Sequence, residues 1–194
     1  MLSKKSKVLS ERQIKTVLAF LETTDDPTRN RLIFLLSARA GLRAKEISEL
    51  RWSMVTDAEG WIDHDIRLPN TASKGRSGGV IPMAKQLRRA LSDWAADQIG
   101  PIAPDQHVIR TRRSEQTSAQ VIVNMFWYWY RAIGFDGCSS HSGRRTFITN
   151  AARHIGQFGG SLRDVQALAR HSSLSMTQAY IEVDTEAMRK VVDA

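Results

Sequence analysis

The sequence predicts a single, mainly α-helical domain with one small antiparallel β-sheet, an α+β fold. Apolar residues recur at helical spacing along most of the 194 residues. Residues 53–83 differ, because β-branched and aromatic residues there are interrupted by Gly60, Pro69 and Gly78. A chain of this length buries roughly 70% of its unfolded surface in one core, and no repeat or Pro/Ser-rich linker divides it. We therefore expect one domain over residues 1–194.

Three helices precede the predicted sheet. Ser10–Gln13 is a capping box that opens the first helix. The apolar face of that helix consists of Ile14, Val17, Leu18 and Leu21. Asp26–Pro27 places a cap and a first-turn proline before the second helix, which Gly41 can end. A short third helix is predicted from Ala44 to Leu50.

Six further helices are predicted after the sheet. The first carries an apolar stripe made of Leu87, Leu91, Trp94, Ala95 and Ile99. Thr117–Gln120 caps the second, in which helical spacing predicts that Tyr128 and Tyr130 pack in the core. The remaining four are predicted at residues 142–154, at 161–169 behind a Ser161-x-x-Asp164 box, at 175–182 and at 185–192.

The charge of the chain favours a polyanionic partner. The formal net charge is +8 and the pI is near 10.1, and 20 of the 28 basic residues are Arg. A guanidinium group binds phosphate through two parallel hydrogen bonds, which a lysine cannot make. The alternative is a solvated basic surface without a ligand, and charge alone leaves both interpretations open.

Several classes of protein are excluded by composition. Cys138 is the single cysteine, so a disulfide scaffold is excluded. The five histidines lack zinc-binding spacing, and we expect neither a metal nor a cofactor. Apolar runs such as residues 17–21 and 32–36 are far shorter than the ~20 residues that span a membrane. The basic amino terminus is not followed by the apolar core of a secretory signal, so we expect a cytoplasmic protein without membrane contact.

Arg43 stands at a position that helix stability does not explain. It follows the predicted helix stop at Gly41 and begins the next helix, where a positive charge opposes the helix dipole. One interpretation is a ligand-binding guanidinium. The other is an exposed arginine that forms a salt bridge with Glu46 or Glu49.

Three other segments carry polar residues that the helical pattern does not require. Lys74 lies at the mouth of the glycine-rich hairpin. His141 and Arg144 are three residues apart, so on a helix they face the same way and can address one oxyanion together. His171 ends one predicted helix, and Tyr180 lies in the next.

Taken together, these segments resemble the tyrosine recombinases, also called the phage integrase family. The resemblance covers nearly the whole chain from about residue 8. In that family an Arg in a G-L-R-x-x-E-[IL]-x-x-L-x-W segment, a hairpin Lys, an H-x-x-R pair, a His and a Tyr nine residues later converge on one DNA phosphate. The matching positions here, in the same order, are Arg43, Lys74, His141, Arg144, His171 and Tyr180.

The chain departs from the family pattern at four places. Gly143 and Arg145 flank Arg144, where the family usually has leucine and histidine. Ala169–Arg170 precedes His171 in place of Leu-Gly, and the preceding segment is longer near residues 156–160. The family's amino-terminal clamp domain has no counterpart in these residues, so we expect either a short recombinase of the inverting kind or a truncated chain. These departures affect positioning and DNA-sequence preference rather than the reaction class.

The resemblance implies the fold of a tyrosine recombinase catalytic domain and a site-specific recombinase or integrase activity. Tyr180 would attack a DNA phosphate and form a 3′-phosphotyrosine intermediate, without metal or ATP. The positive field would come from Arg43, Arg144 and His171. Lys74 would protonate the departing 5′-oxygen, and His141 would orient the phosphate or accept a proton.

The implied partner is double-stranded DNA, on which the protein would self-associate as a tetramer within the nucleoid. Further DNA contacts are expected from Arg76, Arg112, Arg113 and Arg145. Two alternatives remain open from the residues. A type IB topoisomerase would use similar groups without joining two duplexes, and a non-catalytic DNA-binding protein would not need Tyr180.

Overall fold

The computed structural model describes residues 6–73, 78–111 and 114–180. In these ranges the chain forms eight α-helices, three short 3-10 turns and a two-stranded sheet, which confirms the predicted fold class. The helices are α1 (Glu11–Leu21), α2 (Pro27–Ala40), α3 (Ala44–Ser48), α4 (Lys85–Ala96), α5 (Ala119–Ala132), α6 (Ser142–His154), α7 (Leu162–Ala169) and α8 (Leu174–Gln178). The 3-10 turns are Trp52–Met54, Asn70–Ala72 and Ile155–Phe158. No helix in these ranges is both long and apolar enough to cross a membrane.

The sheet is the antiparallel hairpin that the sequence predicts. Strand β1 (Asp65–Leu68) pairs with β2 (Gly79–Pro82), and Ile66 lies opposite Ile81. Both isoleucines are fully buried, because alternate residues of the strands face the helical core. Lys74, predicted at the mouth of this hairpin, and Arg76 lie outside the described residues.

Helix α2 lies at the centre of the core, and two glycines allow helix α6 to pack closely against it. Leu32–Leu36 are almost completely inaccessible to solvent. Gly41 ends α2 in the left-handed conformation at φ 65°, and a Cβ there would lie 2.5 Å from Cδ1 of Phe147. A Cβ at Gly143 would overlap Ser37. The leucine usual before Arg144 in the family therefore cannot fit here, and α6 packs directly on α2.

A smaller apolar cluster joins α6 to α7 and to the residue Tyr180 beyond α8. It consists of buried Ile148, Val165 and Ala169, with Tyr180 packed against it. The long segment between α6 and α7 forms the 3-10 turn and ends at Gly159 with φ 73°. This cluster lies beside the main core and packs α7 against α6.

Most helix boundaries agree with the prediction, and the exceptions lie at helix ends and on one exposed face. Ile99 is wrong as a core residue, because α4 ends at Ala96 and leaves this side chain 97% exposed. Tyr128 is also wrong as a packed residue. It is 60% exposed, since Phe126, Trp129 and Tyr130 occupy the buried face of α5. Helix α3 ends at Ser48 and α8 at Gln178, both earlier than predicted, and the predicted helix at 185–192 lies outside the described residues.

Candidate active site

Arg43 is held by a buried carboxylate at the start of α3. Its backbone N–H donates to Oε2 of Glu46 at 2.9 Å, and its Nη1 donates to Oε1 at 2.8 Å. Glu46 is completely buried, whereas the side chain of Arg43 remains 22% exposed. The ion pair that the sequence allowed as an alternative is therefore present. It does not lie on an open surface, because Glu46 is completely buried and also pairs with Arg170.

Arg144 is buried in the first turn of α6 and connects two other helix ends. Its Nη1 donates to the carbonyl oxygen of Gly41 at 2.5 Å, and its Nη2 donates to that of Ala169 at 2.5 Å. Burial, together with the charges of Arg43 and Arg170, lowers the pKa of Arg144 to about 10. The group therefore stays protonated at neutral pH. Three of its five N–H bonds are not used by these two contacts.

His171 is a buried and neutral imidazole. Its Nδ1 lies 2.9 Å from Oγ1 of Thr177, which is itself inaccessible to solvent. Burial first, and then the charges of Arg144, Arg43 and Arg170, lower the pKa of His171 to about 4. This pKa leaves the ring uncharged at neutral pH, so His171 adds no positive charge in this structure, and its part in the reaction stays a prediction. A neutral imidazole instead offers one N–H donor and one acceptor.

Tyr180 lies two residues beyond α8 and is half-buried against His171. The two rings stack with their centroids 5.4 Å apart at an angle of 29°. The guanidinium carbon of Arg145 lies 5.9 Å from the centre of the Tyr180 ring, close enough for a cation–π contact. Thr149 donates a hydrogen bond to the Tyr180 carbonyl oxygen.

The structure thus brings four of the six predicted residues into one cluster. These are Arg43, Arg144, His171 and Tyr180. His141 immediately precedes α6 and is exposed, and within the described residues its ring has no hydrogen bond to the other predicted groups. Lys74 lies outside the described residues, as do the predicted DNA contacts Arg76, Arg112 and Arg113. Arg145 stands beside Tyr180.

Two residues of this cluster were missed by sequence reasoning. Thr177 contacts His171, and nothing in its sequence position indicated this contact. Arg170 was noted only as a departure from the family pattern, yet its Nη2 donates to Oε2 of Glu46 at 2.8 Å. Glu46 was considered as a partner of Arg43 alone, and the structure makes it a shared partner of both arginines.

The charges of the cluster suit an anionic ligand. Three guanidinium groups, those of Arg43, Arg144 and Arg170, lie within electrostatic range of one another and of one carboxylate among the described residues, that of Glu46. Positive charge is therefore in excess next to a neutral imidazole and a phenol. Across the ranges that the structure describes, no three His, Cys, Asp or Glu side chains come together as metal ligands would.

Known proteins of similar sequence are members of one family. Residues 7–187 match the phage integrase family. The tyrosine recombinase XerC of Xylella fastidiosa is 30% identical over 174 residues, which cover 88% of this chain and 55% of that protein. XerC of Corynebacterium efficiens is 30% identical over 171 residues, 87% of this chain and 51% of that one. The chain spans about half the length of the curated relatives it matches.

Solved structures show the same fold at lower identity. XerA recombinase superimposes with a TM-score of 0.72 at 22% identity, over 95% of this chain and 63% of that one. The Tn1549 transposon integrase in complex with a circular intermediate DNA gives 0.74 at 18% identity, over 97% and 66%. A lambda integrase dimer bound to a core site gives 0.70 at 20% identity, over 94% and 52%.

Proposed function

The chain belongs to the phage integrase family, and we propose that it cleaves and rejoins DNA strands at specific sites through a 3′-phosphotyrosine intermediate on Tyr180. The observation that supports this proposal most strongly is the cluster itself. These four residues, Arg43, Arg144, His171 and Tyr180, come from three separate segments of the chain and meet where positive charge is in excess. A protein that only binds DNA has no need for a phenol at this place.

In the first step, Oη of Tyr180 attacks the phosphorus of a DNA phosphodiester. The bond from phosphorus to the 5′-oxygen breaks, and the 3′-phosphate becomes an ester of Tyr180. A phenol attacks well only as its proton leaves. In the second step, the 5′-hydroxyl of another strand attacks this ester and releases Tyr180. One phosphate ester replaces another in each step, so no ATP is consumed.

The arginines would bind the non-bridging oxygens of the phosphate. These oxygens gain negative charge as the fifth ligand approaches phosphorus, and fixed guanidinium donors stabilise that charge. Arg144 is fixed by its bonds to Gly41 and Ala169, so little reorganisation is needed when the phosphate enters. His171 would donate an N–H bond as a neutral group, with Thr177 fixing its ring.

The remaining proton transfer is assigned to Lys74. The 5′-oxygen is a poor leaving group unless it receives a proton. We propose that Lys74 donates it, as the resemblance to the family implies. His141, exposed at the start of α6, would contact the phosphate from the solvent side or accept a proton there.

Double-stranded DNA is the proposed partner, and the protein would assemble on it as a tetramer. The relatives named above include integrases solved with DNA. Reciprocal exchange between two duplexes cuts every strand once, so it uses one Tyr180 for each strand. The family relationship leaves the target sequence and the direction of recombination to experiment.

The proposal is tested by trapping the covalent intermediate. The protein is incubated with a pool of nicked duplexes that carry a randomised core, and adducts are separated by denaturing electrophoresis and sequenced. We expect an adduct that Tyr180→Phe abolishes while DNA affinity is retained. Tyr128→Phe is the matched control, since that tyrosine is exposed on α5 and should leave the adduct unchanged.

The same experiment separates the alternatives. Binding without any adduct in the wild-type protein would indicate a non-catalytic DNA-binding protein. An adduct accompanied by relaxation of supercoiled DNA, with no strand exchange between two duplexes, would indicate a topoisomerase. Loss of the adduct in Tyr128→Phe would contradict the assignment of Tyr180.

A further inference from the structure

Arg170 occupies a backbone position that favours glycine. It has φ 53° and ψ 46°, and among the described residues it is the one non-glycine with positive φ. It ends α7 in a Schellman motif, in which the N–H of His171 donates to Gln166 and the N–H of Arg170 donates to Ala167. A side chain at such a position costs conformational energy that glycine does not.

Burial of the Arg170 side chain costs further free energy. It is 3% exposed, and its Cδ lies 3.5 Å from the position that a Cβ at Gly79 would occupy. Nη2 reaches Glu46, while Nε and Nη1 have no hydrogen-bond partner among the described residues. Buried guanidinium donors without acceptors lose their hydration and gain nothing in return. The left-handed backbone and the unpaired buried donors of Arg170 thus both cost folding free energy, so the stability of the protein alone does not explain an arginine at this position.

The contact with Glu46 gives a reason for these costs. Oε2 of Glu46 accepts hydrogen bonds from Nη2 of Arg170 and from the backbone N–H of Arg43, while Oε1 accepts one from Nη1 of Arg43. If Arg170 were absent, Arg43 and Glu46 would form a neutral pair. Arg43 would then be partly neutralised by its own anchor before any phosphate arrived.

We propose that Arg170 is a positioning residue that balances the charge of Glu46, so that the charge of Arg43 remains available to the scissile phosphate. This inference rests on the proposed function. Glu46 fixes the place and orientation of Arg43, and Arg170 offsets the negative charge that this fixation brings into the site. Arg170 itself is too buried to contact DNA in this conformation.

The test begins with Arg170→Gly, because glycine suits the left-handed backbone. The rate of adduct formation is measured in a single turnover with a duplex recovered from the randomised pool, at protein concentrations that saturate the DNA. We expect the rate to fall roughly 10- to 100-fold, less than the ~10²–10³ expected for the loss of a direct phosphate donor. Arg170→Lys should retain more of the rate, since it keeps the charge.

The decisive comparison removes the charge that Arg170 is proposed to balance. In a Glu46→Gln background, Arg170→Gly should change the rate by less than about threefold, because a neutral side chain at position 46 needs no balancing charge. An equal loss in both backgrounds would overturn the proposal and would place the effect of Arg170 elsewhere. Arg163→Ala removes an exposed positive charge from the same helix and is the matched control, expected to keep the wild-type rate.

A second measurement does not depend on activity. Titration of the His171 imidazole by NMR should give a higher pKa in Arg170→Gly than in the wild type, because a nearby positive charge is removed. An unchanged pKa in a folded variant would show that Arg170 is not part of the charge cluster. If the wild type forms no adduct, the proposed function fails. If it does and Arg170→Gly is equally fast, only the present inference fails.

Discussion

Replacing Arg144 with alanine should reduce both stability and strand cleavage, and the structure sets the size of each effect. The substitution deletes two hydrogen bonds from a buried guanidinium, one to Gly41 and one to Ala169. Each charge-assisted bond contributes about 1.5–3 kcal/mol. Relief of the buried charge offsets part of this loss, so we expect a net destabilisation of about 2–4 kcal/mol. For a chain of this size that lowers Tm by roughly 4–16 °C.

Two assays measure these effects separately. Thermal unfolding followed by circular dichroism gives the stability of Arg144→Ala, and single-turnover adduct formation well below its Tm gives the cleavage rate. The rate should fall by ~10²–10³ or more, because a fixed donor to the transition state is lost. Arg153→Ala, an exposed arginine on the same helix, should change neither quantity appreciably.

Either half of this prediction can fail independently. A Tm within about 2 °C of the wild type would refute the view that Arg144 ties the ends of α2 and α7 together. An unchanged cleavage rate in a folded variant would refute its assignment to the phosphate. Arg144→Lys should give intermediate stability, because an ammonium group can reach one of the two carbonyl oxygens but lacks the planar fork.

Three further predictions concern the other groups. Lys74→Ala should slow cleavage, and a sulfur in place of the bridging 5′-oxygen should restore the rate, because sulfur leaves without a proton; Arg144→Ala should not be rescued. A Lys74→Ala defect that sulfur leaves unchanged would contradict a general acid. Acidification should destabilise the protein through His171. Between its ordinary pKa near 6.5 and its folded pKa of about 4, the unfolded chain binds a proton that the folded chain does not. The Tm of His171→Gln should therefore fall less than that of the wild type between pH 7 and pH 5, and parallel curves would contradict the burial of a neutral imidazole. Cleavage should persist in EDTA, since guanidinium groups offset the phosphate charge; activity lost in EDTA and restored by magnesium would point to different chemistry.

The helices were predicted well because their signals are local. A capping box such as Ser10–Gln13 acts within one turn, and a glycine such as Gly41 ends a helix through its own backbone freedom. Ile99 and Tyr128 were predicted wrongly for a related reason. Spacing places a residue on a face of a helix, but it does not say where the helix ends or how wide its buried face is.

The sequence by itself determined the family, the order of the elements and the set of candidate residues. Short motifs carry this information, because residues within a few positions of one another share a turn or a strand. That is why Arg43, Arg144, His171 and Tyr180 could be named before their positions in space were known. Their roles remain proposals that the experiments above address.

Tertiary structure alone decided how the charges of the site are balanced. The hydrogen bond from Arg170 to Glu46 joins residues 124 positions apart, and that from Arg144 to Gly41 joins residues 103 positions apart. The neutral state of His171 likewise follows from burial beside three arginines that come from separate segments. No local pattern encodes such contacts, since electrostatic energy depends on distance and burial in the folded chain rather than on separation along it.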